Sequence, residues 1–587
     1  MGAAVGAAAG GAAILFLWSI RTASHFLLES IAGYQAPEGG HAAVLTHPWL
    51  LPLVPALGGL LAGLLVWKLA PQAAGIGTDA AIRAFHRQEA ISVKTTLVKL
   101  VSSALTIGSG GTSGREGPIA QVGAGTGSWI ARKLRFSAQE HGLAMAAGLG
   151  AGISAMFKAP LAGAIIAAEV FYREDFEVDA LVPTLVASVV GYSVVGFATG
   201  WQPIFQTGVD PFSFGAPITL LLYAVLGTVC GLAARLAIRI FYPTQSFFKR
   251  FPLYLTAPVG GLLVGLVALA TFEAFGFTNV LGTGAGWLQL ALLHQPISTS
   301  TLVPTAVLFL VAAAAELIGI TLTMGSGGSG GIFGPSLVVG GFLGAGFGSV
   351  AYSVWPSVVP DIAPFAIVGM IAYFAGAAKA PIGTIIMVVE MTGGYGLLGP
   401  SMVAVMFSFL LSGHKSMFAS QVKNRLASPA HADEFEALVL HQHRVRDVLH
   451  PNPPTVSLDT PLPDALVFLQ KTDIWTLPVL EDGKLIGIAA LRDLQRVPEA
   501  DRPNRTVRDV MARDLVVARP EDDLFQTLSA LLERNLNALP VVAGDEPGRL
   551  VGLVTRADLA GVLQAARTRR APEVHRASPA SFRSPTA

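Results

Sequence analysis

Gly108–Pro118 reads GSGGTSGREGP, and Gly325–Pro335 reads GSGGSGGIFGP. Each run interrupts apolar sequence and ends in a proline that opens another apolar run. A second pair lies downstream in the same order: FKAPLAGAIIAAEVF from Phe157 and AKAPIGTIIMVVEMT from Ala378. Two coincidences in one order imply two related halves, about 1–210 and 211–425. Duplicated halves with glycine-interrupted apolar segments predict a transporter-like architecture with a site at mid-membrane.

The chemistry of the runs is local. Proline suits the first helical turn, where its missing N–H costs nothing. Each run therefore predicts a helix that starts inside the membrane after an extended, glycine-permitted approach. A helix start carries unsatisfied N–H groups and about half a positive charge. Two such ends aimed at one point hold an anion without a buried cation, and weak binding lets it leave. Glycines for close helix packing are the competing explanation. Two runs in equivalent places, each with its proline, argue against it.

Glu116 stands at one of these starts, between Arg115 and Gly117. An ionised carboxylate there resembles the anion the site would hold, so it can fill the site as a plug and leave when protonated. One residue then gates anions and carries protons. The alternative, an Arg115–Glu116 ion pair, is disfavoured because adjacent helix residues do not face each other.

Working outward, the composition demands a membrane. Of 587 residues, 52% are hydrophobic and 13% charged, against about 25% charged in soluble chains. Apolar runs of spanning length, about 17–25 residues, recur from Met1 to Ser412. Examples are Leu50–Leu69, Ala180–Gly200, Pro217–Ile240, Ala257–Phe277, Leu302–Leu322 and Ile362–Gly376. Met1–Ile20 lacks the basic start of a secretory signal and reads as the first span. Arg132, Lys133 and Arg135, and then Lys415, Lys423 and Arg425, mark the cytoplasmic side. A net charge of +1 argues against a nucleic-acid partner. Cys230 is the only cysteine, which excludes an internal disulfide.

With GREGP at Gly114–Pro118 and GIFGP at Gly331–Pro335, the chain resembles the CLC chloride channels and proton/anion exchangers over Met1 to about Arg425. The resemblance implies a polytopic α-helical protein of inverted repeats with broken helices. It also implies a homodimer with one pore per subunit in the cell membrane. Glu116 is similar to the family's gating glutamate. The anion path would run along Gly75, Ile76 and Gly77, Gly114, Arg115 and Gly117, and Ile332, Phe333 and Gly334, with Phe418 beyond. The amides of Ile332 and Phe333 would bind the anion.

Three departures stand out. The family's serine loop appears as GIGTD at Gly75–Asp79, with Ile76 at the serine position. The pore tyrosine aligns with Phe418 in GHKSMFASQ. Both hydroxyl donors are replaced, which implies weaker central binding and leaves fluoride or nitrate selectivity open. The inner proton glutamate of many exchangers aligns with Val170, next to Glu169. Channels in the family commonly carry valine there. Glu169 and its repeat partner Glu390 read as structural, with a proton role as the alternative. Proton-coupled antiport is the leading expectation, and a passive channel gated by Glu116 is the alternative.

After a linker at 426–443, residues 444–500 and 506–564 form a second repeat. VRDVLHPNPPTVSLDTPLPDAL answers VRDVMARDLVVARPEDDLFQTL, and each unit reads strand, helix, strand, hairpin, strand, helix. The pair resembles tandem CBS domains, placed in the cytoplasm by the basic residues before it. The resemblance implies an adenine nucleotide (ATP, ADP or AMP) between the units. Thr555 and Asp558 are the candidates to hold it, with Asp493 in the first unit, where Ala490 replaces the hydroxyl. A coupling module without ligand is equally open. No other cofactor is expected. His441, His443 and His450 match no metal spacing and read as solvated linker residues. GAGTGS at Gly123–Ser128 has no preceding strand and is discarded as a dinucleotide motif. Residues 565–587 read as a disordered basic tail.

Overall fold

The computed structural model describes residues 1–37, 43–205, 217–298, 303–471, 475–546 and 548–576, and only the backbone of 569–576. It divides into two compact units, residues 1–430 and 431–576.

The first unit is helical. Its first half holds α1 (Gly2–Ser24), α2 (Leu53–Leu69), α3 (Gly77–His86) and α4 (Val93–Gly108). Then follow α5 (Glu116–Lys133), α6 (Ala138–Phe157), α7 (Pro160–Glu169) and α8 (Leu181–Thr199). The second half repeats the order: α9 (Thr219–Phe248), α10 (Leu253–Phe275), α11 (Ala285–Leu292) and α12 (Thr305–Gly325). It ends with α13 (Phe333–Val354), α14 (Ala363–Ala378), α15 (Pro381–Thr392) and α16 (Leu398–Leu411). The glycine-rich runs join α4 to α5 and α12 to α13. The boundary expected near 210 lies outside the described residues. A small hairpin of β1 (Tyr34–Gln35) and β2 (Val44–Leu45) follows α1.

Seven of the described helices are long and apolar enough to cross a bilayer, and this is a multi-pass membrane protein. Their outer faces carry large exposed apolar side chains: Phe197 on α8 is 83% exposed, as a lipid-facing side chain must be. The expected spans are helices with shifted ends, but Ile362–Gly376 falls in α14, which at 16 residues is one of the shorter apolar helices and not one of the seven. α9 runs on through Pro243 to Phe248, and α10 contains Pro258. Local caps set other ends. Ser137 and Glu140 form a capping box at the start of α6, and Ser92 accepts from Thr95 N at α4.

The KAP motifs build a reciprocal joint between the halves. Lys158 and Lys379 each adopt a left-handed backbone at a helix end, so the chain turns and restarts at Pro160 and Pro381. Glu169, at the end of α7, accepts from Ile382 N (3.1 Å) and Gly383 N (2.7 Å), the first turn of α15. Glu390, in α15, accepts from Leu161 N (3.2 Å) and Ala162 N (2.9 Å), the first turn of α7. Each half caps the other half's helix.

The second unit begins with α17 (Ala432–Gln442), inside the stretch expected as linker. Leu440 on it belongs to the core of Leu524, Leu539 and Val554, which a free linker could not do. The strands are β3 (His450–Pro451), β4 (Val456–Ser457), β5 (Thr476–Glu481), β6 (Lys484–Ala490), β7 (Ala538–Val542) and β8 (Leu550–Thr555). They form two sheets, ordered β4-β5-β6 and β3-β8-β7. The repeats exchange a strand: β3 comes from the first but pairs with β8 of the second. In the second repeat the expected first strand is a single bridge, Ala518 to Val541. Helices α18 (Leu462–Lys471), α19 (Leu491–Gln495), α20 (Leu524–Glu533) and α21 (Arg556–Arg576) complete the unit. The tail expected from 565 is therefore helical to Arg576. Arg567 on α21 ion-pairs with Glu436 on α17, which anchors the extension. Residues 577–587 lie outside the described ones.

Candidate functional site

Three extended segments meet where α3, α5 and α13 begin. Gly77 N donates to Gly330 O (3.0 Å), and Gly330 N donates to Gly75 O (3.1 Å). Gly114 N donates to Gly331 O (2.8 Å), and Gly331 N donates to the Ser113 hydroxyl (2.9 Å). This small ladder satisfies backbone that has no water to bond. Gly110 and Gly327, equivalent in the two runs, have φ of +98° and +92°, a conformation that needs glycine. A Cβ on Gly117 would lie 2.6 Å from Gly331 Cα, so the two helix starts touch through bare backbone.

Glu116 opens α5 and is 4% exposed. Its Oε2 accepts from Gly334 N at 3.1 Å, in the first turn of α13. The carboxylate of one half thus sits on the helix start of the other, where the sequence puts the anion. The amides of Ile332 and Phe333 donate to no acceptor among the described residues. No ion pair within 4.0 Å joins Arg115 to Glu116 among the described residues; Arg115 is the half-buried cap residue of α5. Phe333 is wedged between Phe157 (5.0 Å between centroids) and Phe374 (3.8 Å), which fixes the start of α13.

Ile76 precedes α3 as its cap residue, and Phe418 lies on the segment after α16; both are buried and neither offers a hydroxyl. Their segments are tied together. Asp79, in the first turn of α3, accepts from Ser420 N (2.7 Å) and the Ser420 hydroxyl (2.9 Å). Val170 ends α7, and its carbonyl accepts from Gln421 Nε2 at 2.8 Å.

The sequence reading missed Lys99. It is fully buried on α4, and its Nζ donates to Ala73 O (3.1 Å) and Gly75 O (2.7 Å), fixing the approach to α3. Ser329 also donates to Ala73 O (3.0 Å), with the Ser102 and Ser103 hydroxyls at 2.8 and 2.9 Å from its own. A lysine in the interior of a membrane-domain helix, at Lys99, was the signal available.

In the second unit Thr555 and Asp558 bond each other: Thr555 N and its hydroxyl donate to Asp558 Oδ2 at 2.8 and 2.7 Å. His450 lies 2.8 Å from Asp558 Oδ1. Asp493 pairs with Arg496 at 3.4 Å. The histidines are more than solvated linker residues. His441 stacks on Phe525 and lies 3.5 Å from Asp523, and His443 Nδ1 lies 2.9 Å from Val439 O.

A family model described as voltage gated chloride channel matches residues 58–413, and CBS domain models match 445–499 and 507–565. A putative chloride channel protein ClcB-like of Ralstonia nicotianae is 30% identical over 395 residues, 65% of this chain and 88% of that protein. The H(+)/Cl(-) exchange transporter ClcA of Salmonella paratyphi A is 31% identical over 409 residues, 66% of this chain and 82% of that protein. A slow cyanobacterial Cl-/H+ antiporter shares the fold with a TM-score of 0.60 and 21% identity, over 71% of this chain and 95% of that one. A CLC-type fluoride/proton antiporter does so at 0.58 and 20%, over 72% and 96%. The repeated halves, the two facing helix starts and these matches lead to one conclusion: the chain belongs to the voltage gated chloride channel (CLC) family and carries a tandem pair of CBS domains.

Proposed function

We propose that this protein exchanges chloride, or a similar small inorganic anion, for protons across the cell membrane. The observation that carries the reading is the Glu116 carboxylate on the Gly334 amide. Ionised, it fills the anion's place. Protonated, it loses its charge and its hold on the helix start. An anion then takes the amides of Ile332, Phe333 and Gly334, with Gly75–Gly77, Gly114, Arg115 and Gly117 shaping the path. Anion entry and proton uptake are thus coupled through one residue. Relatives named as H(+)/Cl(-) exchange transporters support this reading.

A passive channel is the second reading, and Val170 favours it. No carboxylate stands at that position to pass protons to the inside. Two copies of the chain form a homodimer in this proposal, each with its own pore, with the CBS pair in the cytoplasm as a regulator. An adenine nucleotide there would have to displace His450 from Asp558 or bind beside it.

The test is coupling. Purified protein in liposomes with a chloride gradient is followed by internal pH. Chloride movement that drives protons uphill supports exchange. Anion flux without protons makes the protein a channel. If chloride does not move, fluoride and nitrate are the next ions to offer.

A further inference from the structure

The two halves differ at one buried position behind the site. With Gly108 matched to Gly325, Lys99 on α4 corresponds to Glu316 on α12. Both are completely buried. Each reaches back to the segment that leads into the preceding short helix of its own half. Lys99 holds the carbonyls before α3. Glu316 holds the segment before α11: its Oε2 accepts from Asn279 Nδ2 at 2.9 Å, and Asn279 also donates to Ala312 O at 3.0 Å. A Cβ on Gly284, which has φ +68°, would lie 2.9 Å from Glu316 Oε1.

The two segments serve different ends of the site. The one before α3 pairs with the approach to α13, through Gly77 and Gly330. The one before α11 pairs with the approach to α5, and so to Glu116. Ser113 N donates to Gly282 O (2.9 Å), Gly282 N donates to Gly110 O (3.2 Å), and the Thr112 hydroxyl donates to Val280 O (2.5 Å). Glu316 thus stands behind the loop that carries the gate. The basic pair Lys249–Arg250 precedes α10 and marks the cytoplasmic side. The far end of α10 and the segment before α11 then lie toward the outside.

Glu316 has no basic side chain within 4.0 Å among the described residues, and its Oε1 and the Asn279 Oδ1 have no hydrogen-bond partner there. Tyr34, buried within electrostatic reach and hydrogen-bonded by Trp287 Nε1 at 3.3 Å, is the other titratable group against it. A buried carboxyl without a cation is costly to keep ionised. Unpartnered buried polar atoms are also where structural water binds. The segment before α3 thus has an amine behind it, and the segment before α11 has a carboxyl behind it and is hydrogen-bonded to the loop that leads to Glu116.

We propose that Glu316 is a second proton-carrying carboxyl, on the outer side of Glu116, through which protons reach and leave the gate. The step is a proton transfer alone: the Glu316 carboxylate takes a proton from hydronium arriving from the outer side and hands it on toward the Glu116 carboxylate, with no other bond made or broken. It rests on the exchange reading above.

The experiment is Glu316→Gln in chloride-loaded liposomes, with proton and anion fluxes recorded together. The expected result is a ratio of protons to anions lowered about tenfold, with partial rescue by Glu316→Asp. A ratio equal to the parent's overturns the proposal while exchange stands. If the parent itself moves no protons, exchange fails and the proposal fails with it. If Glu316→Gln does not fold, Asn279→Ala replaces it. Loss of the donor to Oε2 should shift the pH profile of proton flux, and an unmoved profile overturns the proposal.

Discussion

The run before α5 and the run before α13 share glycines at equivalent places, the same left-handed turn and the same proline. They differ in the first-turn side chain: Glu116 in one, Phe333 in the other. The first helix start brings a carboxylate, the charge that comes and goes in the proposed exchange. The second brings open amides and a phenyl ring locked between Phe157 and Phe374. In the proposed exchange, a duplicated frame is divided into a moving part and a fixed part. The phenyl ring of the fixed part lies between two aromatic neighbours, and the carboxylate of the moving part is held by backbone N–H groups, its own and that of Gly334.

The comparison breaks most plainly at the moving part. Glu116→Gln should abolish proton movement and let anions flow uncoupled. In the parent, flux should rise as pH falls, because protonation frees the helix start. In the variant that dependence should flatten. A variant that still moves protons uphill would mean that the charge which comes and goes lies elsewhere.

Next in size is Lys99→Met, which tests whether the fixed part depends on its buried amine. Removing two charge-assisted bonds to Ala73 O and Gly75 O should weaken anion binding about tenfold, read by calorimetry with chloride. Lys99→Arg should recover part of it. Unchanged affinity would leave the ladder to Gly330 as sufficient support for the approach to α3.

Much of this was legible in the sequence because it is local or repeated. The glycine runs, their prolines and the KAP pairs gave the halves, the helix starts and Glu116. What stayed hidden depends on partners far apart in the chain. Asp79 and Ser420 are 341 positions apart, and no periodicity links them. Lys99 and Glu316 were visible as charges in apolar helices, but their partners are loop atoms that only the fold brings near. The linker was misjudged because α17 is short and its packing on the second repeat is tertiary. The helix to Arg576 was missed because basic, alanine-containing sequence reads alike as tail or helix until a partner such as Glu436 appears.

The reciprocal caps compare the halves more gently. Glu169→Gln and Glu390→Gln should each cost about 1 kcal/mol of stability, read as a lower denaturant midpoint. Glu169 should cost the more, because it is the more deeply buried and makes the shorter bond. Both variants should keep the parent's ratio of protons to anions. A changed ratio in Glu169→Gln would give that carboxyl the inner proton role that Val170 cannot fill.

The smallest expected effect returns to the missing hydroxyls. Phe418→Tyr adds one donor at a buried site without removing packing atoms, and should tighten chloride binding by about two- to tenfold, the range of one net hydrogen bond. Ile76→Ser adds a donor too, but it also removes buried methyl groups, and the cavity term opposes the gain. The pair therefore separates chemistry from packing. If Phe418→Tyr tightens binding and Ile76→Ser does not, the anion lies within reach of the segment after α16, and the cavity at Ile76 outweighs its hydroxyl. If neither changes affinity, the open amides of Ile332 and Phe333 already hold the anion as tightly as this site allows. The replaced hydroxyls would then mark a site tuned by backbone alone.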